Sequence, residues 1–259
     1  MTNNNLNRNS SVWIYRHADR IDEEDPSWLS NAPYKKDPPL SPNGFATAIR
    51  MGNYIWHNEK DKLLQYNTLE DVKIFSSPFL RCLQTSHYIA KTIEERWEQE
   101  TNKTANNTIK ICIEYGLAED IPSRNLYNPL DIATTKELVV SFLNPNTDTD
   151  IIDRLDTNYQ SKYSSDERLT YDSNEEYSQR VNDIYQYLMK SKYRTILISS
   201  HFGETHFAYC QITNLKIPIR YRYGLMANFI SIHSKNNQRK TSKWEIKHRL
   251  WDHHQNFTH

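Results

Sequence analysis

Ser11-Val12-Trp13-Ile14-Tyr15-Arg16-His17-Ala18-Asp19-Arg20 is the segment from which the fold can be read. A short apolar run breaks off abruptly at Arg16-His17. Such a run, too brief for a helix, predicts a strand buried on both faces. Val72 to Ser77 and Thr195 to Ser200 have the same character, and each ends in polar residues. Ile109 to Tyr115 alternates apolar and polar residues and reads as a further strand. Helix signals lie between them. Ser41-Pro42 is a cap followed by a proline suited to the first helical turn. Ser77-Pro78 repeats that pair, and Ser173 with Glu176 forms a capping box. Gly203 to Ile212 reads as helix, and Phe229–His233 with Trp244–Leu250 as a terminal hairpin. Strands alternating with helices predict an α/β three-layer sandwich, a mostly parallel central sheet with helices on both faces.

Asp19 to Leu40 is charged and proline-bearing, and is expected to be a surface loop. Asp120 to Asp172 shows little periodicity and is expected to be an inserted cap, with a helix near Thr135 to Leu143, walling the entrance to the site. The whole chain, 1–259, reads as one domain with a disordered tail at 1–10.

Composition narrows the function. The chain has 32 basic and 32 acidic residues, so no global field favours nucleic acid or an anionic membrane. Apolar content is only 37%, but 17 Tyr and 6 Trp supply large core-forming side chains. No apolar run is long enough to cross a membrane, and the Asn-rich start lacks the apolar core of a signal peptide. Cys82, Cys112 and Cys210 are odd in number and widely spaced, which argues against disulfides and zinc. The protein therefore reads as cytoplasmic or nuclear.

Three strands end in residues suited to phosphate: Arg16-His17 with Arg20, Ser76-Ser77 with Arg81 a turn later, and Ser200-His201. Ligands of open α/β sheets bind beyond the carboxyl ends of the strands. Two arginines and two histidines converging there, beside helix N-termini, would make a site for a dianion.

These segments, in this order, resemble the histidine phosphatase superfamily, also called phosphoglycerate-mutase-like. Arg16-His17-Ala18 matches its Arg-His-Gly. Ser77-Pro78-Phe79-Leu80-Arg81-Cys82-Leu83-Gln84-Thr85 matches its Ser-Pro-x-x-Arg-x-x-Gln-Thr. Leu40-Ser41-Pro42-Asn43-Gly44 matches its loop-to-helix segment, and Ser200-His201-Phe202 its Ser-His-Gly. Arg20 and Glu114-Tyr115-Gly116-Leu117-Ala118-Glu119 are most similar to the phosphatase domain of the suppressor of T-cell receptor signalling (ubiquitin-associated and SH3 domain-containing) proteins. The similarity runs from Ser11 to about Asp252 and is weakest over Asp120 to Asp172.

The resemblance implies a phosphatase acting on phosphate monoesters, of a small molecule or a phosphoprotein, through a phosphohistidine on His17. Arg16, Arg81 and His201 would hold the phosphoryl oxygens, with Arg20 adding a contact. Glu119 would protonate the leaving oxygen and then activate water, with Glu114 and Asp120 as neighbouring candidates for that role. No metal or cofactor is needed, because cationic side chains supply the charge. The alternatives are a phosphoglycerate-mutase-type phosphotransferase and a weakly catalytic phosphate-binding adaptor. Ala18 and Phe202 stand where the family has glycine, so the turn after His17 must accept a Cβ, and Phe202 is expected to narrow the pocket or shift its loop. For Ser76 and Ser77, helix capping is the simpler expectation, and for Cys82, buried packing.

Overall fold

The structure is a computed structural model that describes residues 10–32, 37–119, 149–163, 173–213, 226–233 and 242–250. Residues 1–9 of the expected 1–10 tail, the helix near 135–143 and most of the 120–172 insertion lie outside them.

Among the described residues, six strands form one sheet. They are β1 (Ser11–Arg16), β2 (Val72–Ser76), β3 (Lys110–Ile113), β4 (Thr195–Ser200), β5 (Met226–His233) and β6 (Ser242–Leu250). Their order across the sheet is β3-β2-β4-β1-β5-β6. The first four in that order run parallel, and β5 and β6 add antiparallel strands at one edge. Among the described residues, five helices of six residues or more pack on it: α1 (Pro42–Leu63), α2 (Leu80–Thr101), α3 (Thr149–Arg154), α4 (Asn174–Leu188) and α5 (Phe202–Thr213).

The continuous apolar reading of β1 has a direct cause. Trp13 and Tyr15 point to one face and join Met51, Ile55, Leu83 and Trp97 of α1 and α2. Val12 and Ile14 point to the other and join Val181, Ile184 and Ala208 of α4 and α5. A strand covered by helices on both sides has no polar face to show.

Two of the expected caps form. The Ser41 hydroxyl accepts from the Gly44 amide at 2.9 Å, with Pro42 as first helical residue. Ser173 and Glu176 make the reciprocal capping box. The third does not. α2 starts at Leu80, and Ser77 makes no capping bond to it. The carboxylate of Asp37 takes that place, accepting from the Leu80 amide at 2.9 and 3.0 Å.

The 19–40 segment is also more structured than a surface loop. It holds two four-residue helices, Ile21–Glu24 and Trp28–Asn31, and returns to bury Asp37 and Leu40. Within the expected insertion, 149–163 is folded onto the sheet. α3 is clipped by Arg154, which pairs with Glu94 at 2.8 Å, and Leu155 bridges to Ile111 beside β3.

Register fixes the functional edge. Arg16 pairs with Ser200, and Ser76 with both Ser199 and Ile113. The next backbone bonds continue the ladders one step further: His17 N–H to Ser200 O and Ser77 N–H to Ser199 O, both 3.0 Å, and Glu114 N–H to Ser76 O at 2.9 Å. His17, Ser77, Glu114 and His201 therefore stand side by side at one end of the sheet.

Candidate active site

His17 is wholly buried at the end of β1. Its Nδ1 lies 2.8 Å from the carbonyl oxygen of Ala18. A carbonyl only accepts, so the proton sits on Nδ1 and the ring's lone pair on Nε2. Burial, then the charges of Arg81 and Arg16, push the imidazole pKa well below its usual value. The ring is thus neutral at physiological pH, as a nucleophile requires.

The turn after His17 accepts its Cβ without strain. Ala18 is buried in a small apolar cluster with Leu40 and Ala48, and its amide donates to Thr85 Oγ1 at 3.0 Å. Glycine is needed elsewhere, at the start of α1. A Cβ on Gly44 would stand 2.2 Å from the backbone oxygen of Asp19, so the turn can lie on α1 only because Gly44 has no side chain.

His201 follows β4 and is also fully buried, its ring centroid 5.3 Å from that of His17 in an edge-on arrangement. Its Nδ1 lies 3.1 Å from Arg81 Nη2, and its Nε2 lies 2.8 Å from Ser77 Oγ. A guanidinium only donates, so Nδ1 accepts and Nε2–H donates to Ser77. Ser77 therefore orients His201, where sequence reasoning expected it to cap a helix. Cys82 is buried as expected, although its sulfur also approaches His201 Nε2 at 3.6 Å.

Arg81 is almost fully enclosed and is held from two sides. Nη1 lies 3.3 Å from Asp37 Oδ1, and Nη2 lies 2.5 Å from Glu119 Oε2. The Phe79 ring centroid is 4.4 Å from the guanidinium carbon. Asp37 is buried and its carboxyl pKa is pushed up to about 6, burial outweighing the attraction of Arg81. Glu119 is different: its side chain is 40% exposed, so it can move.

Arg16 lies beside Phe202, its guanidinium carbon 5.9 Å from the ring centroid. Burial lowers its pKa to about 10, which leaves it charged. Phe202 opens α5 and packs toward His206, with ring centroids 5.6 Å apart. Arg20 is turned toward Asp22, with bonds of 2.9 and 2.5 Å, and its charge is still felt at His17.

The structure thus brings Arg16, His17, Arg81, Glu119 and His201 to one sheet edge, with Arg20 at its margin. Glu114, a candidate acid in the sequence, is buried and fully engaged. It accepts from Gly116 N, Tyr159 Oη, Ser161 Oγ and Lys162 N at 2.6–2.9 Å. Asp120 lies outside the described residues. Sequence reasoning missed Asp37, because a lone acid before two prolines carries no local signal of burial. Gln84 and Thr85 belonged to a quoted motif, yet their work appears only here. Gln84 accepts from Leu40 N at 2.8 Å, and together they bind the two loops to α2. No group of His, Cys, Asp and Glu suited to a metal occurs among the described residues.

This edge gathers two buried histidines and two enclosed arginines at the carboxyl end of a parallel α/β sheet. Among solved structures, the chain is similar to the ecdysone phosphate phosphatase of Bombyx mori in complex with tungstate. The TM-score is 0.52 at 16% identity, covering 92% of each chain. It is also similar to mycobacterial hydrolase 2, with TM-score 0.50 and 12% identity over 95% of this chain and 91% of that one. These likenesses establish the fold. No protein-family model matches the sequence, and neither does any curated protein.

Proposed function

We propose that this chain is a histidine phosphatase that hydrolyses phosphate monoesters by transferring the phosphoryl group to His17 Nε2. The observation that carries the reading is the His17 ring itself. It is buried and neutral, held by Ala18 O through Nδ1, and lies within the field of Arg81 and Arg16. A neutral imidazole among cations is poised to attack a phosphorus whose oxygens those cations bind. The silkworm phosphatase, which holds tungstate on the same fold, lends support to an oxyanion site here.

In this mechanism Arg16, Arg81 and His201 hold the phosphoryl oxygens, and Arg20 adds a contact at the rim. His201 does so by taking a proton from water on Nδ1 as the anion binds, so that the imidazolium donates to Ser77 and to a phosphoryl oxygen, and it gives the proton back when phosphate leaves. The substrate binds as its monoanion and passes its proton to Glu119 as the phosphoryl group displaces that carboxylate from Arg81. The His17 N–P bond then forms as the ester P–O bond breaks, and Glu119 gives the proton to the departing oxygen. Glu119 then takes a proton from water as the water attacks phosphorus and the N–P bond breaks. Phosphate takes the proton from Glu119 as it leaves, and the Glu119 carboxylate returns to Arg81.

Within the superfamily, Arg20 and the Glu114–Glu119 segment favour the branch of the suppressor of T-cell receptor signalling proteins. Mutases of this family carry their acid soon after the second arginine. Here the carboxylate at Arg81 comes from the loop after β3 instead, which favours hydrolysis over transfer to a second hydroxyl.

The direct test is a phosphoenzyme trap. A labelled phosphate ester should leave acid-labile, base-stable label on His17. The His17→Ala protein should fold, carry no label and show no turnover of a nitrophenyl phosphate. Full turnover in that protein overturns the reading.

A further inference from the structure

We infer that Arg180, on α4 and remote in sequence from every motif of the site, is the positioning residue for the Glu119 carboxylate. Its guanidinium is buried, and Nη1 donates to two carbonyl oxygens, Gly116 O at 2.8 Å and Ala118 O at 3.1 Å. The carbonyl between them, Leu117 O, accepts from Ser200 Oγ at 2.7 Å. Three successive carbonyls directly before Glu119 are thus pinned, two of them to one side chain.

The anchor is itself braced from the His201 side. The Tyr177 ring, one helical turn before Arg180, has its centroid 5.3 Å from the guanidinium carbon. The Tyr177 hydroxyl is hydrogen-bonded to Glu204 in the first turn of α5. Gly203 makes room for it, since a Cβ there would stand 2.6 Å from that hydroxyl. A continuous set of contacts therefore runs from the turn after His201 through Tyr177 and Arg180 to the backbone that carries Glu119. A partly exposed carboxylate on a short loop has many rotamers, and fixing its backbone reduces the search for the productive one.

This inference rests on the phosphatase reading, but one of its two tests does not depend on turnover. Arg180→Met should slow an alkyl phosphate on the order of tenfold more than a nitrophenyl phosphate, because only the poor leaving group needs the acid. A loosened Glu119 also releases Arg81. Inorganic phosphate, titrated calorimetrically, should then bind roughly two- to fivefold tighter, the scale of a partly exposed ion pair. General loosening of the pocket would weaken it instead.

Both effects should vanish when Arg180→Met is made in a Glu119→Gln background, and Arg180→Lys, which still reaches a carbonyl, should restore part of each. If the Met variant fails to fold by circular dichroism, Arg180→Gln is measured in its place. Equal losses on the two esters, or phosphate binding that weakens or stays unchanged, overturns the inference. A wild-type chain with no turnover overturns the phosphatase reading, while the phosphate titration still decides the role of Arg180.

Discussion

Arg81 Nη2 and Glu119 Oε2 lie 2.5 Å apart, so in the proposed mechanism the arginine that would hold a phosphoryl oxygen is already paired with the carboxylate that would serve as the acid. Under that proposal, a phosphoryl group must displace Glu119 from Arg81. That exchange would free the carboxylate to take the substrate's own proton and pass it to the leaving group. Removing the competitor should therefore strengthen anion binding. Glu119→Gln is expected to bind inorganic phosphate roughly two- to fivefold tighter while losing turnover. Glu119→Asp keeps the charge but loses the reach, and should also tighten binding. If only Gln does so, the effect is the general field of the charge and not the Arg81 pair. Calorimetric titration of the three proteins checks it.

The leaving group separates the two carboxylates of the 114–119 segment. Glu119→Gln should cost an alkyl phosphate much of the 10²–10⁴-fold typical of general acid catalysis, and a nitrophenyl phosphate far less. Glu114→Gln should instead destabilise the fold. Its carboxylate is buried and receives bonds from Tyr159, Ser161 and Lys162, and losing a charge-assisted acceptor costs about 1.5–3 kcal/mol per bond. Thermal melting and paired kinetics on the two esters would distinguish them. The assignment is wrong if Glu114→Gln shows the leaving-group dependence.

Asp37 should make the fold less stable as pH rises. Burial raises its pKa from the usual carboxylate value to about 6, despite Arg81. A raised folded-state pKa means that protons favour the native state. The contribution is complete below the unfolded pKa near 4 and is lost as pH rises through about 6. Asp37→Asn removes that titration. Relative to wild type, its stability should improve between pH 4 and 7 by on the order of 2 kcal/mol. Denaturant melts at the two pH values test this. The same variant should bind phosphate more weakly, because the Asn amide is a poorer hold on Arg81.

Ser77→Ala should leave His201 without its Nε2 partner, 2.8 Å away. The tautomer that accepts from Arg81 is then no longer enforced. Turnover should fall on the order of tenfold, with stability changed by about 1 kcal/mol, the worth of a single hydrogen bond. A shifted histidine signal in nitrogen-15 spectra should accompany it. Unchanged spectra and turnover would make Ser77 a bystander.

The sequence by itself determined the alternation of buried strands and helices, and the ends at which His17, Ser77 and His201 stand. Those features are local. An apolar run of strand length, a capping serine before proline and a capping box each carry their own physical signature within a few residues. Two helix starts follow from them, and so does the order of strands that places three polar ends on one edge. Tertiary structure decided what local pattern cannot encode. Ser77 turned from its helix to His201 because Asp37, 43 residues earlier than Leu80, supplies the cap instead. Glu114 was separated from Glu119 by donors 45 to 48 residues away, two side chains and a backbone amide, that consume its lone pairs. Arg180, 64 residues from Gly116, carries no motif at all. A partner's identity is a property of packing between distant segments, and hydrogen-bond capacity is spent only when those segments meet.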